Sequence, residues 1–250
     1  MTTALAAVIG LLLGHTLDIL FKRLYTDKPL SGPVYRCPHC RPPLHPTYII
    51  PIIGVAWSRG RCRDCGRWLP LHAFLLAPGA AALFATAELV FDGFGPALLA
   101  GAFATVFLAL TFTDLDRRLI PNRVVYPSVL LAAALSWAWP DVSVVQIFAG
   151  GLVAVIIAAA LLIFSLPFGA NAFGMGDVKM IVLMGLVTGL PSVIVAVFVG
   201  TLTAGAASAL LLMLRLKGRK DFIPHGPFLA MGAVTALFWG EPIWDWYVDR

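Results

Sequence analysis

Apolar positions along the chain come in long continuous runs, broken by Pro, Gly and clusters of charge. Eight such runs are expected to be helices, near residues 4–21, 72–91, 96–113, 125–139, 145–167, 177–190, 192–214 and 227–240. A helix crossing a bilayer needs about 20 predominantly apolar residues. The pattern therefore predicts an all-α, polytopic integral membrane protein with about eight transmembrane helices. No period-2 alternation points to an outer-membrane barrel. The first run has no basic residue before it and no small-residue cleavage pattern, so it reads as a retained anchor and not a removed signal peptide.

Composition sharpens this. Of 250 residues, 60% are apolar and only 12% charged, against roughly 45–50% and about 25% in a soluble domain. Mean hydropathy is +0.88. A soluble enzyme, a disordered tail and a fibrous repeat are all excluded. The net charge of +5 would hint at nucleic acid in a soluble protein; here it reports where the loops sit, and no nucleic-acid partner is expected. Seventeen of the 18 Lys and Arg residues fall on one side once eight spans are threaded, and the opposite loops carry Glu88, Asp92, Asp141, Glu241, Asp245 and Asp249. By the positive-inside rule the basic loops are cytoplasmic and both termini lie outside.

The large basic loop before the second span holds all four cysteines, as Cys37-Pro-His-Cys40 and Cys62-Arg-Asp-Cys65. Two Cys-x-x-Cys pairs at this separation have the spacing of a tetrahedral structural zinc site. Disulfides are disfavoured in a reducing compartment, and metal would supply folding energy that so small a loop cannot draw from a core. Four incidental thiols, or a redox pair, is the plainer alternative.

Acidic residues within or at the ends of spans are expensive and mark function by default. Asp114 and Asp116 close the third span in Thr113-Asp-Leu-Asp-Arg-Arg-Leu-Ile-Pro-Asn122, and Asp177 opens the sixth in Gly174-Met-Gly-Asp-Val-Lys179. Sidedness drawn from basic residues alone puts both segments at the same face and similar depth. Two carboxylates brought together can share a proton. The ionised one then takes a proton from water while the protonated one polarises a carbonyl, which hydrolyses a peptide bond. Gly174 and Gly176 would let a substrate backbone lie close to Asp177. Asp114 and Asp116 are two apart and face differently on a helix, so at most one is expected to meet Asp177 directly, leaving the other for water, substrate or Arg117. Asp116 reads equally well as part of an interfacial ion cluster with Arg117 and Arg118. Lys179 could tune Asp177 or bind a substrate carbonyl, although snorkelling is the simpler account. Asp18 and His15, three apart in the first span, could share a face. Small residues in the seventh span (Gly200, Ala204, Gly205, Ala206, Ala207) suggest close helix packing, and Trp137, Trp139, Trp239, Trp244 and Trp246 an interfacial belt.

Together these segments resemble the bacterial type IV prepilin leader peptidases, relatives of the Gly-x-Gly-Asp intramembrane aspartyl proteases. The resemblance rests on the paired cysteine loop with Ile50-Pro51 and Arg59-Gly-Arg-Cys62, then Asp114-x-Asp116 with Pro121 behind it, Gly174–Lys179, and Ile223-Pro-His-Gly-Pro-Phe-Leu-Ala230 before the last span. It covers roughly residues 30–235. It implies that Asp114 and Asp177 are the catalytic pair; from the reading of the residues themselves, Asp116, Gly174, Gly176 and Lys179 are expected as active-site support. It implies a prepilin or pseudopilin substrate, cut after a Gly on the cytoplasmic side. Many members then methylate the new N-terminal amine with S-adenosylmethionine through the large cytoplasmic loop.

The N-terminal half departs from the family pattern. Gly14-His-Thr-Leu-Asp18 stands where Gly-Ser-Phe-Leu-Asn is usual, and Leu71-His-Ala-Phe74 opens the second span without the frequent acidic residue. Proteolysis is therefore expected more firmly than methyl transfer. The expected organisation is a first transmembrane helix plus a four-cysteine zinc loop over residues 1–71, followed by a transmembrane aspartyl peptidase core over 72–250. The expected place is the bacterial inner membrane, with the site and zinc loop facing the cytoplasm. The competing function is an ion- or proton-coupled transporter using the intramembrane aspartates, but no internal repeat with matched broken helices supports it.

Overall fold

The computed structural model describes residues 3–26, 61–62, 65–68, 72–139, 142–166, 173–216, 218 and 223–249. Cys37, Cys40 and most of the cysteine loop lie outside the described residues. Among those described there are eight α-helices: α1 (Thr3–Thr26), α2 (His72–Val90), α3 (Phe94–Arg117), α4 (Asn122–Ala134), α5 (Val144–Ser165), α6 (Met175–Thr188), α7 (Ser192–Met213) and α8 (Gly226–Val248). A 3-10 turn, Ser136–Ala138, follows α4.

Seven of the eight expected segments fall on one helix each, 125–139 is divided between α4 and the 3-10 turn, and several helices overrun the apolar pattern. Hydropathy ends where charge begins, whereas an established helix gains a hydrogen bond with each residue added. So α1 runs to Thr26, α3 to Arg117 and α8 to Val248. The last is bent, not straight. Trp239 has non-helical angles (φ −135, ψ 15) and Pro242 lies inside the helix, so the carbonyl of Phe238 loses its usual partner.

Four helices (α1, α3, α5 and α7) are long and apolar enough to cross a bilayer, and α2 contributes the shorter apolar stretch Leu75–Val90. This is the make-up of a multi-pass membrane protein. At 13 and 14 residues, α4 and α6 reach only about 20 Å, less than the ~30 Å hydrocarbon layer.

The chain forms two compact units, Met1–Phe112 and Thr113–Arg250. In the first, α1 packs on α2 through glycine. A side-chain carbon at Gly10 would sit 2.5 Å from the Ala80 carbonyl oxygen, and one at Gly14 would sit 2.7 Å from Ala80 and 2.9 Å from Ala77. The opposed numbering shows the two helices antiparallel. Asp18, one turn beyond Gly14, is buried, and His15 is half-buried. Gly101 receives the ring of Phe84 in the same way, tying α3 to α2.

In the second unit, α5 and α6 approach at Gly150 and Gly185, where a side-chain carbon at Gly150 would meet the Gly185 carbonyl oxygen at 2.6 Å. Helices α7 and α8 approach at Gly200, whose added carbon would be 3.2 Å from the Leu229 Cα. Small residues let backbones come this close, which is how helices gain contact where lipid is as apolar as the side chains. The sequence expectation for α7 needs one correction. Gly200 and Ala204 are buried, but Gly205 and Ala206 are exposed and Gly205 has nothing within 4 Å. At 3.6 residues per turn, positions 205 and 206 rotate off the face that 200 and 204 share. Of the tryptophans, Trp137, Trp239 and Trp246 are exposed as a belt requires, whereas Trp139 is buried.

Candidate active site

The second unit brings the last turn of α3 together with the first turns of α4, α6 and α8. Asp114 is held at the end of α3. Arg118 ends that helix in a left-handed conformation (φ 53) with its N–H on the Asp114 carbonyl at 2.8 Å, a one-bond C-terminal cap. The Asp114 side chain is buried, 5% exposed. Its Oδ2 accepts the backbone N–H of Gly226 at 2.9 Å. Gly226 opens α8, where N–H groups lack helical partners, so a carboxylate there is favoured by hydrogen bond and helix dipole together. Asp116 is exposed, as expected for a residue two positions on. It is not gathered with Asp114.

Asp177 is set by the start of α6. Gly174 is extended (φ −88, ψ 152) and precedes the helix. Three residues on, the Asp177 Oδ2 reaches back to accept the Gly174 N–H at 3.1 Å. This is the reach-back half of a capping box; glycine has no side chain for the other half. Asp177 is half-buried, Gly176 likewise, and Gly174 exposed. The open face that sequence expected beside Asp177 is therefore present at Gly174, while Gly176 faces inward under Ile120, whose Cβ lies 3.2 Å from where a Gly176 side chain would begin.

The carboxylates of Asp114 and Asp177 are close enough to interact electrostatically, and the imidazole of His225 is within the same reach of both. His225 Nδ1 lies 3.1 Å from the Ile223 carbonyl oxygen. A carbonyl only accepts, so Nδ1 carries the proton. Lys179, half-buried, donates to Asn122 Oδ1 at 2.7 Å. Two contributors were not legible beforehand. The Gly226 N–H belongs to a motif noted only for its resemblance, and Asn122 had no signal beyond following Pro121. Chemically, two carboxyl groups with a neighbouring imidazole and an exposed glycine edge suit proton transfer to and from a bound amide.

Of the four cysteines, Cys62 and Cys65 are described. Cys62 is buried. Its N–H donates to Arg67 and its carbonyl accepts from Gly66, both at 2.9 Å. Gly66 has φ +68, a conformation that favours glycine. Arg61 and Trp68 pair across this turn, with the guanidinium 4.9 Å from the indole centroid.

The chain is similar to known proteins over most of its length. A model of the type IV leader peptidase family matches residues 101–209, and a bacterial peptidase A24 N-terminal domain model matches residues 8–91. The chain is 31% identical to the prepilin leader peptidase/N-methyltransferase of Burkholderia pseudomallei (strain 1026b), covering 98% of this chain and 87% of the relative. It is 30% identical to that of Aeromonas hydrophila, covering 90% and 79%. It is 26% identical to that of Bacillus subtilis (strain 168), covering 96% of each. No solved structure matches the chain. Ion-coupled transport finds no support among these relatives. On the two family models, and on relatives matched over most of both lengths, the chain belongs to the type IV leader peptidases.

Proposed function

We propose that this enzyme removes the basic leader of a type IV prepilin or pseudopilin at the cytoplasmic face of the bacterial inner membrane, with Asp114 and Asp177 as the catalytic pair. The observation that supports the reading is that two carboxylates distant in sequence lie within electrostatic reach of one another in one unit, each accepting a backbone N–H at a helix start. One carboxylate takes a proton from water, and the resulting hydroxide equivalent attacks the scissile carbonyl. The other, protonated, donates to the carbonyl oxygen as charge builds there. The first then returns its proton to the leaving amine, the C–N bond breaks, and the second carboxylate takes back its proton from the collapsing gem-diol. Eight spans would carry the site, with α4 and α6 sheltered among longer helices. The substrate's own apolar helix would lie in the bilayer alongside, leaving its leader junction at the rim near Gly174.

Two further parts belong to the proposal. The new amine is methylated with S-adenosylmethionine as co-substrate, as the relatives' name indicates for them. The loop holds a structural zinc ion through Cys37, Cys40, Cys62 and Cys65. Among the described residues no three metal-ligating side chains converge, but the Cys62–Gly66 turn fits half of such a site. The Gly66 N–H donates to the Cys62 carbonyl and Gly66, just after Cys65, is left-handed, which supports a turn at this cysteine pair. Zinc there would supply folding energy to the loop. Metal analysis of the purified enzyme is expected to give about one zinc per chain, lost in Cys62→Ser; a metal-free parent chain would remove this part.

The test of the main reading is co-expression with a prepilin. Leader removal is expected on gels, and mass spectrometry of the mature substrate is expected to show an N-terminus heavier by about 14 Da, one methyl group in place of a hydrogen. An intact leader would sink the proposal; a cleaved but unmodified N-terminus would remove only its methylation part.

A further inference from the structure

The turn that carries Asp177 is gripped on both sides by the segment that follows the Asp114 helix. On one side Ile120 packs over Gly176, where an added side-chain carbon would meet the Ile120 Cβ at 3.2 Å, a tight contact. On the other, Lys179 donates to Asn122 Oδ1 at 2.7 Å, and its ammonium lies 5.5 Å from the ring centroid of Tyr126. Asn122 and Tyr126 are one turn apart on α4 and so share a face. Pro121 fixes the start of that helix, with φ −74. The contact spans two short helices that are each marginal by themselves. As a partly exposed contact it adds little to the stability of the fold.

We propose that Lys179 and Asn122 form a positioning unit that sets the first turn of α6, and with it the Asp177 carboxylate, against the Asp114 side of the site. The inference rests on Asp177 being one of the catalytic pair. Neither residue of the unit touches the substrate; they act through Asp177. This departs from Lys179 as a substrate ligand or as a simple snorkelling cation.

The experiment is a double-mutant cycle on the full-length enzyme, following prepilin cleavage at several substrate concentrations. Asp177→Asn comes first: if it cleaves normally, the catalytic assignment fails before the positioning question arises. With that variant inactive, Asn122→Ala and Lys179→Met are each expected to lower kcat about tenfold, the scale of a sub-ångström misplacement, with KM within twofold of the parent. The double variant is expected to be no slower than the worse single one, because both remove the same contact. Lys179→Arg, which can still donate to Asn122, is expected to keep most of the rate. A rise in KM with kcat unchanged in Lys179→Met would make Lys179 a substrate ligand and overturn the proposal. So would parent-like kcat in Asn122→Ala, or losses that multiply in the double variant.

Discussion

Asp114→Asn and Asp177→Asn are each expected to bring leader cleavage down about 10³-fold, within the range general acid–base groups typically contribute, while the protein still inserts and folds. The asparagine substitution separates two roles that each carboxylate performs at once. Both accept a backbone N–H, from Gly226 and Gly174 respectively, and an amide oxygen can accept the same bond. What asparagine cannot do is exchange a proton. The helix-capping contribution at stake is about 0.5–2 kcal/mol, whereas a 10³-fold rate loss is about 4 kcal/mol of transition-state stabilisation. The magnitudes therefore distinguish a structural acid from a reacting one. The measurement is substrate cleavage beside a folding control such as thermal unfolding in detergent. A variant with near-parent rates and intact fold would remove that residue from the pair. Asp116→Asn, exposed and away from Asp114, is expected to cost far less.

Gly226→Ala is the second large effect. A carbon added there would lie 2.6 Å from Asp114 Oδ2 and 2.9 Å from both its Cβ and Cγ. A flexible side-chain tip could swing away, but here the clash reaches the Cβ, so the whole side chain must rotate or the helix start must shift. Either way the hydrogen bond from residue 226 is lost. Helix propensity pulls in the other direction, because alanine is favoured over glycine by about 1 kcal/mol in a helix. Residue 226 is the first of its helix, so that gain does not offset the clash, and the expected result is a rate about 100-fold lower. Gly205→Ala is the matched control, since that position has open space around it; it is expected to leave the rate unchanged. Equal rates for Gly226→Ala and the parent would show that the Gly226 N–H does not hold Asp114 in its working place.

What could be read from sequence divides along physical lines. The helices were legible because runs of apolar residues leave little alternative in a bilayer. Their ends were not, since the backbone continues past the apolar stretch, as in α8 through Trp239 and Pro242. Asp114 and Asp177 were visible as costly charges beside spans. Asp116 could not be ranked against its neighbour until burial separated them, exposed in one case and buried in the other. The Gly226 donor and the Asn122 acceptor were out of reach for a different reason. A backbone N–H is present at every position, and an asparagine next to a proline is ordinary turn chemistry. Their importance comes from what folding sets opposite them, at separations no local pattern encodes.

The hydrogen bond to Asp114 has a bearing on how small a working enzyme can be. The stretch recognised by the peptidase family model ends at residue 209, before α8 begins. A shortened version stopping there would keep both aspartates yet lack the amide that anchors one of them. On the proposed pairing of Asp114 and Asp177, a working fragment is expected to extend into the final helix, and supplying that helix as a separate peptide is the natural route to complementation.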